Sequence, residues 1–255
     1  MPFISDITSY MHGPFSWALL FIAALFVGMS KTGIQGLTMI AIPFLAIEFG
    51  AKPSTGLMLP ILCMADIIGV AYYRRQAEWK YIWQLLPMAL FGFFIALIVD
   101  QLIPKDSFKH LMGFCLLLVL AVMIINQVRG KQKSSINSWW YGPLFGLLGG
   151  FCTMIGNAAG PILAIYLLSM KMPKLAFVGT NAWFFLCVNY LKLPLQIFVW
   201  HNINSTTLLI DICTIPTILL GGWIGIRLVK FLPERTFRIF TIVVTCISVL
   251  VLLFS

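Results

Sequence analysis

Two ionisable residues lie deep inside apolar stretches of the chain. Lys31 is near the middle of the stretch 15–49, and Asp66 is in the middle of the stretch 54–73. If these stretches are membrane segments, the lysine alone costs about 2.5–3.5 kcal/mol to insert, so it needs a partner or a function. Lys31 therefore either binds an anion or extends its ammonium to the membrane surface. Asp66 either relays protons or ions, or pairs with Lys31 or a backbone donor.

The lysine belongs to a polar, glycine-rich break in its apolar stretch. Ser30 and Thr32 flank it with hydroxyl groups, and Gly33 and Gly36 allow close approach to the backbone. A matching break interrupts the stretch 139–170. Because free N–H groups and the helix dipole favour negative charge, two such breaks predict an oxyanion site. The alternative is that the glycines only pack helices together. The candidate binding residues are Ser30, Lys31, Thr32, Gly33, Gln35, Gly36, Thr153, Gly156, Asn157 and Asn181, with Asp66 as the coupling residue.

Several other polar residues have less specific interpretations. Asn181 either faces the site from a helix start or makes an interhelical hydrogen bond. Glu48 and Asp211 are predicted to be interfacial, and Lys192, just before Pro194, is expected to extend toward the outer surface. The cysteines lie inside apolar segments and show no metal-ligand spacing. No HExxH or GxSxG motif is present, so we expect neither an enzyme nor a bound metal or cofactor.

The composition sets the class of protein that must position these residues. Of the 255 residues, 60% are hydrophobic and only 10% are charged, against about 25% charged in soluble domains. That excludes a soluble globule and predicts an all-α polytopic membrane protein in a lipid bilayer. The 17 basic residues against 8 acidic ones are interpreted as orientation signals rather than as a nucleic-acid surface.

The apolar stretches fall into two kinds. Six are long enough for one span each, since a spanning helix needs about 20 residues. These predicted spans are 54–73, 81–102, 108–126, 175–199, 206–229 and 236–254. The stretches 15–49 and 139–170 are too long for one span, so each predicts a broken hairpin of two short helices.

The two halves of the chain repeat one another. Pro87 and Gly92 match Pro216 and Gly221 at one common spacing. We therefore predict an N-terminal repeat, 1–128, a cytoplasmic linker, 129–138, and a C-terminal repeat, 139–255. Each repeat is a broken hairpin followed by three spans, so the halves have opposite orientations, which is the inverted-repeat architecture common in transporters.

Loop charges give the orientation. The loops that contain Arg74, Lys131, Lys171 and Lys230 are basic, and basic loops face the cytoplasm. The second hairpin then starts and ends inside, the first starts and ends outside, and both termini are extracytoplasmic.

The break motifs resemble those of the TauE/SafE sulfite exporter family. The first signature corresponds to Gly28-Met29-Ser30-Lys31-Thr32-Gly33-Ile34-Gln35-Gly36 with Pro43 after it, and the second-half counterpart to 156–161 followed by Gly179-Thr180-Asn181. The resemblance covers essentially the whole chain. It implies a permease of the bacterial cytoplasmic (inner) membrane for sulfite, sulfoacetate or related organosulfonates. Many members have glycine where this chain has Lys31, which suggests a subfamily preference.

Together, these features predict a secondary transporter that exports a small sulfur-containing oxyanion. The anion is expected at the two breaks near the midplane, with protons or the membrane potential as the driving force. An anion channel, or a permease for carboxylates or other anions with the same fold, stays open as an alternative. A homodimer is also left open.

Overall fold

The fold is taken from a computed structural model of the chain. It describes residues 10–104 and 140–233 except His12 and Gln35, together with isolated positions within 107–121 and 236–243. The predicted linker 129–138 lies outside these residues, as does most of the predicted spans 108–126 and 236–254. The helices are α1 (Pro14–Thr32), α2 (Leu37–Phe49), α3 (Ala51–Tyr73), α4 (Trp79–Leu102), α5 (Tyr141–Gly156), α6 (Gly160–Ser169), α7 (Lys174–Pro194), α8 (Ser205–Cys213) and α9 (Ile215–Phe231), and a π-helical turn, Leu195–Val199, extends α7.

Within the described ranges, four helices are long and apolar enough to cross a membrane: α1, α3, α4, and α7 with its π-helical turn. The pair α8 and α9 passes the same test when taken together. Large apolar side chains such as Phe91, Phe94 and Ile98 of α4 are exposed on the outside of the bundle. That exposure suits contact with lipid, and the predicted all-α membrane fold is confirmed.

The predicted span 206–229 is not one continuous helix. It consists of α8 and α9, which are bent by 49° relative to each other. Pro216, in the first turn of α9, lacks an N–H, and its ring would clash with the carbonyl of residue 212 in a straight helix. The Thr214 hydroxyl lies at the bend and donates to the Asp211 carbonyl oxygen at 2.6 Å.

The helices on either side of each glycine-rich break form a hairpin. The Ser16 hydroxyl donates to the Glu48 carboxylate and joins the start of α1 to the end of α2. The rings of Tyr141 and Tyr166 stack with centroids 5.7 Å apart, joining the start of α5 to the end of α6. With 13 residues in α2 and 10 in α6, these return arms are about 20 and 15 Å long, shorter than a hydrocarbon core of about 30 Å. Each break therefore lies inside the bundle.

Each hairpin packs against a long helix from the other half of the chain. A Cβ on Gly28 of α1 would lie 2.4 Å from the Ile218 carbonyl oxygen of α9. In the same way, a Cβ on Gly150 of α5 would lie 2.0 Å from the Ala89 carbonyl oxygen of α4. Only glycine permits such close contact between helix backbones. These contacts fix the position of the breaks against α3 and α7, which pack together in the interior.

Candidate functional site

The two breaks meet at a cavity inside the bundle. Residues from α1, α2, α3, α5, α6 and α7 surround it. The lining residues are Ser30, Lys31, Gly36, Thr38, Met39, Leu62, Thr153, Asn157, Gly160, Asn181, Phe185 and Asn189. Six of the ten predicted binding residues are thus brought together: Ser30, Lys31, Gly36, Thr153, Asn157 and Asn181.

Three predicted binding residues have other surroundings, and Gln35 lies outside the described residues. The Thr32 hydroxyl donates to the carbonyl oxygens of Gly28 and Gly222 at 2.9 and 3.0 Å. A Cβ on Gly33 would lie 2.6 Å from the Gly225 carbonyl oxygen, so this glycine serves helix packing. Successive helix residues point about 100° apart, which is why Thr32 faces α9 while Lys31 faces the cavity. Gly156 is the last residue of α5 and is not among the residues that line the cavity.

Lys31 and Asp66 form a buried ion pair at the cavity. The lysine Nζ is 2.9 Å from Asp66 Oδ1, with side-chain exposures of 6% and 0%. The Asn189 amide donates to Asp66 Oδ2 at 2.6 Å, and the ammonium lies 3.8 Å from the centre of the Phe185 ring. Of the alternatives above, Asp66 pairs with Lys31, and the lysine does not extend to the membrane surface. The pair is electrically neutral as a unit.

Three lining side chains carry a buried polar atom without a hydrogen-bond partner in the described part of the chain. They are the Thr38 hydroxyl, the Asn181 Oδ1 and the Asn189 Oδ1. Buried polar atoms are nearly always hydrogen-bonded, because leaving one unpaired costs about 1–3 kcal/mol. Three unpaired atoms around one cavity indicate that it accommodates a polar ligand or water.

Two helix N-termini also reach this cavity. Helix α2 begins after Gly36, whose φ of 102° is left-handed, and α6 begins at Gly160 after Ala159. Neither Gly36 nor Ala159 has a polar side chain that could cap the first turn. In α2 the Met39 N–H donates to the Gly36 carbonyl oxygen at 2.9 Å, and in α6 Pro161 has no N–H, so the remaining first-turn N–H groups are the ones a ligand could reach. The positive ends of both helix dipoles are therefore available to a negative ligand.

Lys192 is the residue that the sequence interpretation missed. The expectation that it extends to the outer surface is wrong, because its side chain is fully buried. Its ammonium donates to the Thr153 carbonyl oxygen at 3.0 Å and also to the Asn157 Oδ1. A lysine inside the predicted span 175–199 was the available signal, but its position near the outer end of that span favoured extension to the membrane surface. The span itself agrees with the structure, in which α7 and its π-helical turn cover Lys174–Val199.

Residues 20–252 match the family model described as Sulfite exporter TauE/SafE. The chain belongs to the TauE/SafE sulfite exporter family. As a member of this family, it is a multi-pass membrane transporter and not an enzyme. The comparisons found no match among curated proteins or among solved structures.

In this TauE/SafE transporter, Asp211 is a second charged residue whose surroundings differ from the prediction. Asp211 was predicted to be interfacial, but it is completely buried. Neither of its carboxylate oxygens has a hydrogen-bond partner among the described residues. It lies on α8, away from the cavity lining, so the coupling prediction continues to rest on Asp66.

Proposed function

We propose that this transporter exports small sulfur-containing oxyanions, such as sulfite or an organosulfonate, and binds them between the two breaks near the membrane midplane. The observation that carries the proposal is one cavity that combines a buried lysine, a Thr38 hydroxyl without a hydrogen-bond partner among the described residues, and two helix N-termini without a side-chain cap. All of these groups favour negative charge. Family membership supports a sulfite- or sulfonate-type substrate.

We further propose that the two halves are inverted repeats. Two reciprocal features support this. The first hairpin packs on α9 of the second half, and the second hairpin packs on α4 of the first half. Asp66 and its bonded partner Asn189 are also 123 residues apart, the same separation as between the break glycines Gly33 and Gly156. Contacts between equivalent positions are expected close to a two-fold axis that relates the repeats.

The proposed orientation in a bacterial cytoplasmic membrane follows from loop charge. The loops after α3, before α7 and after α9 lie at one end of the bundle. There the Glu78 N–H donates to the Thr180 hydroxyl at 2.9 Å, and Lys174 donates to the carbonyl oxygen of Val229 at 2.7 Å. These basic loops would face the cytoplasm. The opposite end, with the Lys52–Asp100 ion pair at 2.7 Å, would face outward together with both termini.

Asp66 is our proposed coupling residue because it competes with the substrate for Lys31. A proton on the carboxylate would weaken the ion pair and release the ammonium to the anion. Linkage is reciprocal, so a bound anion would also favour protonation of Asp66. A proton and a monoanion would then leave together without net charge movement. Without coupling, the membrane potential itself would favour anion export by about 2.3 kcal/mol per charge per 100 mV.

The test is flux in liposomes that contain the purified protein. The substrates are sulfite, sulfate, thiosulfate, sulfoacetate and acetate. We expect the sulfur anions to be transported and Lys31→Ala to reduce flux at least tenfold. The control Lys171→Ala, which changes a lysine in a loop at the proposed cytoplasmic face, should transport normally. Equal flux in wild-type and Lys31→Ala protein would contradict the proposed site.

Two further readouts separate the alternatives. Unlabelled substrate on the far side should accelerate exchange of labelled substrate if access alternates, whereas a channel shows no such acceleration. A preference for acetate over every sulfur anion would indicate a carboxylate permease.

A separate measurement tests coupling. Wild-type protein should carry a monoanion without electrical current, whereas Asp66→Asn should carry it with current and without proton movement. Proton movement that persists in Asp66→Asn would exclude Asp66 as the coupling residue.

A further inference from the structure

We propose that Lys192 is a second cationic ligand of the anion and supplies the positive charge that the substrate neutralises. This inference rests on the proposed anion site, and it assigns a role to a residue that sequence reasoning had placed at the membrane surface.

The first step concerns net charge around the cavity. Lys31 is already neutralised by Asp66 at 2.9 Å. Lys192 is within electrostatic range of both residues, yet in the described part of the chain it has no carboxylate within ion-pair distance. When Lys192 is protonated, the three groups together therefore carry one uncompensated positive charge inside the membrane. Such a charge is costly unless a counter-ion reaches it, and a bound monoanion would balance it.

The second step concerns distance to the ligand. The ammonium of Lys192 contacts the Thr153 carbonyl oxygen at 3.0 Å, the Thr153 hydroxyl at 3.4 Å and the Asn157 Oδ1. Both partner residues line the cavity, so only one layer of side chains separates the ammonium from the ligand space. Lysine has a flexible four-carbon stem and three rotatable donors. An oxygen of the anion can therefore replace the Asn157 oxygen without movement of a helix.

The third step concerns how the empty site retains this charge. Thr153 is in the last turn of α5, where carbonyl oxygens and the negative end of the helix dipole stabilise a cation. The Asn157 amide is held in place because its Nδ2 donates to the Thr55 carbonyl oxygen at 3.2 Å. On the other side of this break, α6 presents its positive N-terminus. An anion between them would contact both Lys192 and the first turn of α6.

The test compares three variants at Lys192 by ligand-induced thermal stabilisation of the purified protein, with sulfite and methanesulfonate as probes. Lys192→Gln keeps N–H donors for Thr153 and Asn157 but removes the charge, and Lys192→Arg keeps the charge. Lys192→Met removes both. A fourth protein, Lys31→Met/Asp66→Asn, removes a neutral pair and leaves the net charge unchanged, and Lys171→Met serves as the surface control.

We expect Lys192→Gln and Lys192→Met to bind both anions at least tenfold more weakly, while Lys192→Arg stays within about threefold of wild type. The double variant should lose less affinity than Lys192→Gln. If Lys192 only supports the fold, Lys192→Gln will bind as wild type does, and the proposal is overturned. If Lys192→Met does not fold, the comparison of Gln with Arg still decides. Absence of binding by wild-type protein would instead overturn the proposed function itself.

Discussion

The buried ion pair between Lys31 and Asp66 allows a quantitative test of how this interior is stabilised. Removing one partner of a buried pair costs about 3–5 kcal/mol, because the other charge is left uncompensated. In each single variant, the charge that is left keeps one other contact. In Lys31→Met, the Asp66 carboxylate retains the Asn189 amide at 2.6 Å. In Asp66→Asn, the Lys31 ammonium keeps the Phe185 ring at 3.8 Å, a cation–π contact worth about 2 kcal/mol when desolvated.

We therefore expect Lys31→Met and Asp66→Asn each to cost about 3–5 kcal/mol, because the contact that remains to the unpaired charge has a similar strength in both variants. The double variant should lie within about 1–2 kcal/mol of wild type, because no charge is left unpaired and the amide introduced by Asp66→Asn can still accept from Asn189. In chains of this size, 1 kcal/mol corresponds to about 2–4 °C, so Lys31→Met should unfold roughly 6–20 °C lower.

The assay is thermal unfolding of the four purified proteins in the same detergent, followed by tryptophan fluorescence and analysed as a double-mutant cycle. The coupling between the two residues should be at least about 2 kcal/mol. Additive single effects, or a loss below about 1 kcal/mol in Lys31→Met, would refute the reasoning, since an uncompensated carboxylate cannot be that inexpensive inside the bundle.

Three other predictions follow from the packing and the cavity. Gly150→Ala should destabilise the protein by at least about 1–3 kcal/mol in thermal unfolding, because its Cβ would lie 2.0 Å from the Ala89 carbonyl oxygen. In the adjacent control Gly149→Ala, the nearest atoms to the added Cβ among the described residues lie at 3.9 Å. This variant should be neutral or stabilising, so equal losses in the two variants would contradict the packing. Thr38→Val should weaken sulfite binding about 10- to 100-fold, the cost of losing a hydrogen bond to a charged group. Its melting temperature should not fall, since the hydroxyl has no partner among the described residues; a lower melting temperature with normal binding would give Thr38 a structural role. Cysteines introduced at Gln76 and Gln101, in a protein whose native cysteines are replaced by alanine, should react with an impermeant reagent from opposite sides of the membrane. Gln101→Cys should react from outside, and labelling of both from one side would contradict the proposed orientation.

The sequence alone determined the class of the fold and the position of the breaks. A chain with 10% charged residues cannot cover a soluble surface, and long apolar runs in lipid must be helical because every backbone group needs an internal partner. Glycine and polar residues interrupt such runs locally, so both breaks could be located from composition and spacing. The same reasoning selected Lys31, Thr153 and Asn157, which line the cavity.

Only the tertiary structure decided which side chains meet. The interpretation of Thr32 and Gly33 as ligands depended on how α1 is rotated, and the contact with α9 sets that rotation. The role of Lys192 depended on where its long side chain reaches, because its ammonium contacts Thr153 and Asn157 of the second break, which are far from it in sequence. Because charged residues are so few, those inside apolar segments can be identified from the sequence as residues that need partners. The partners themselves cannot be predicted from local sequence, because they come from helices that pack together only in the folded bundle.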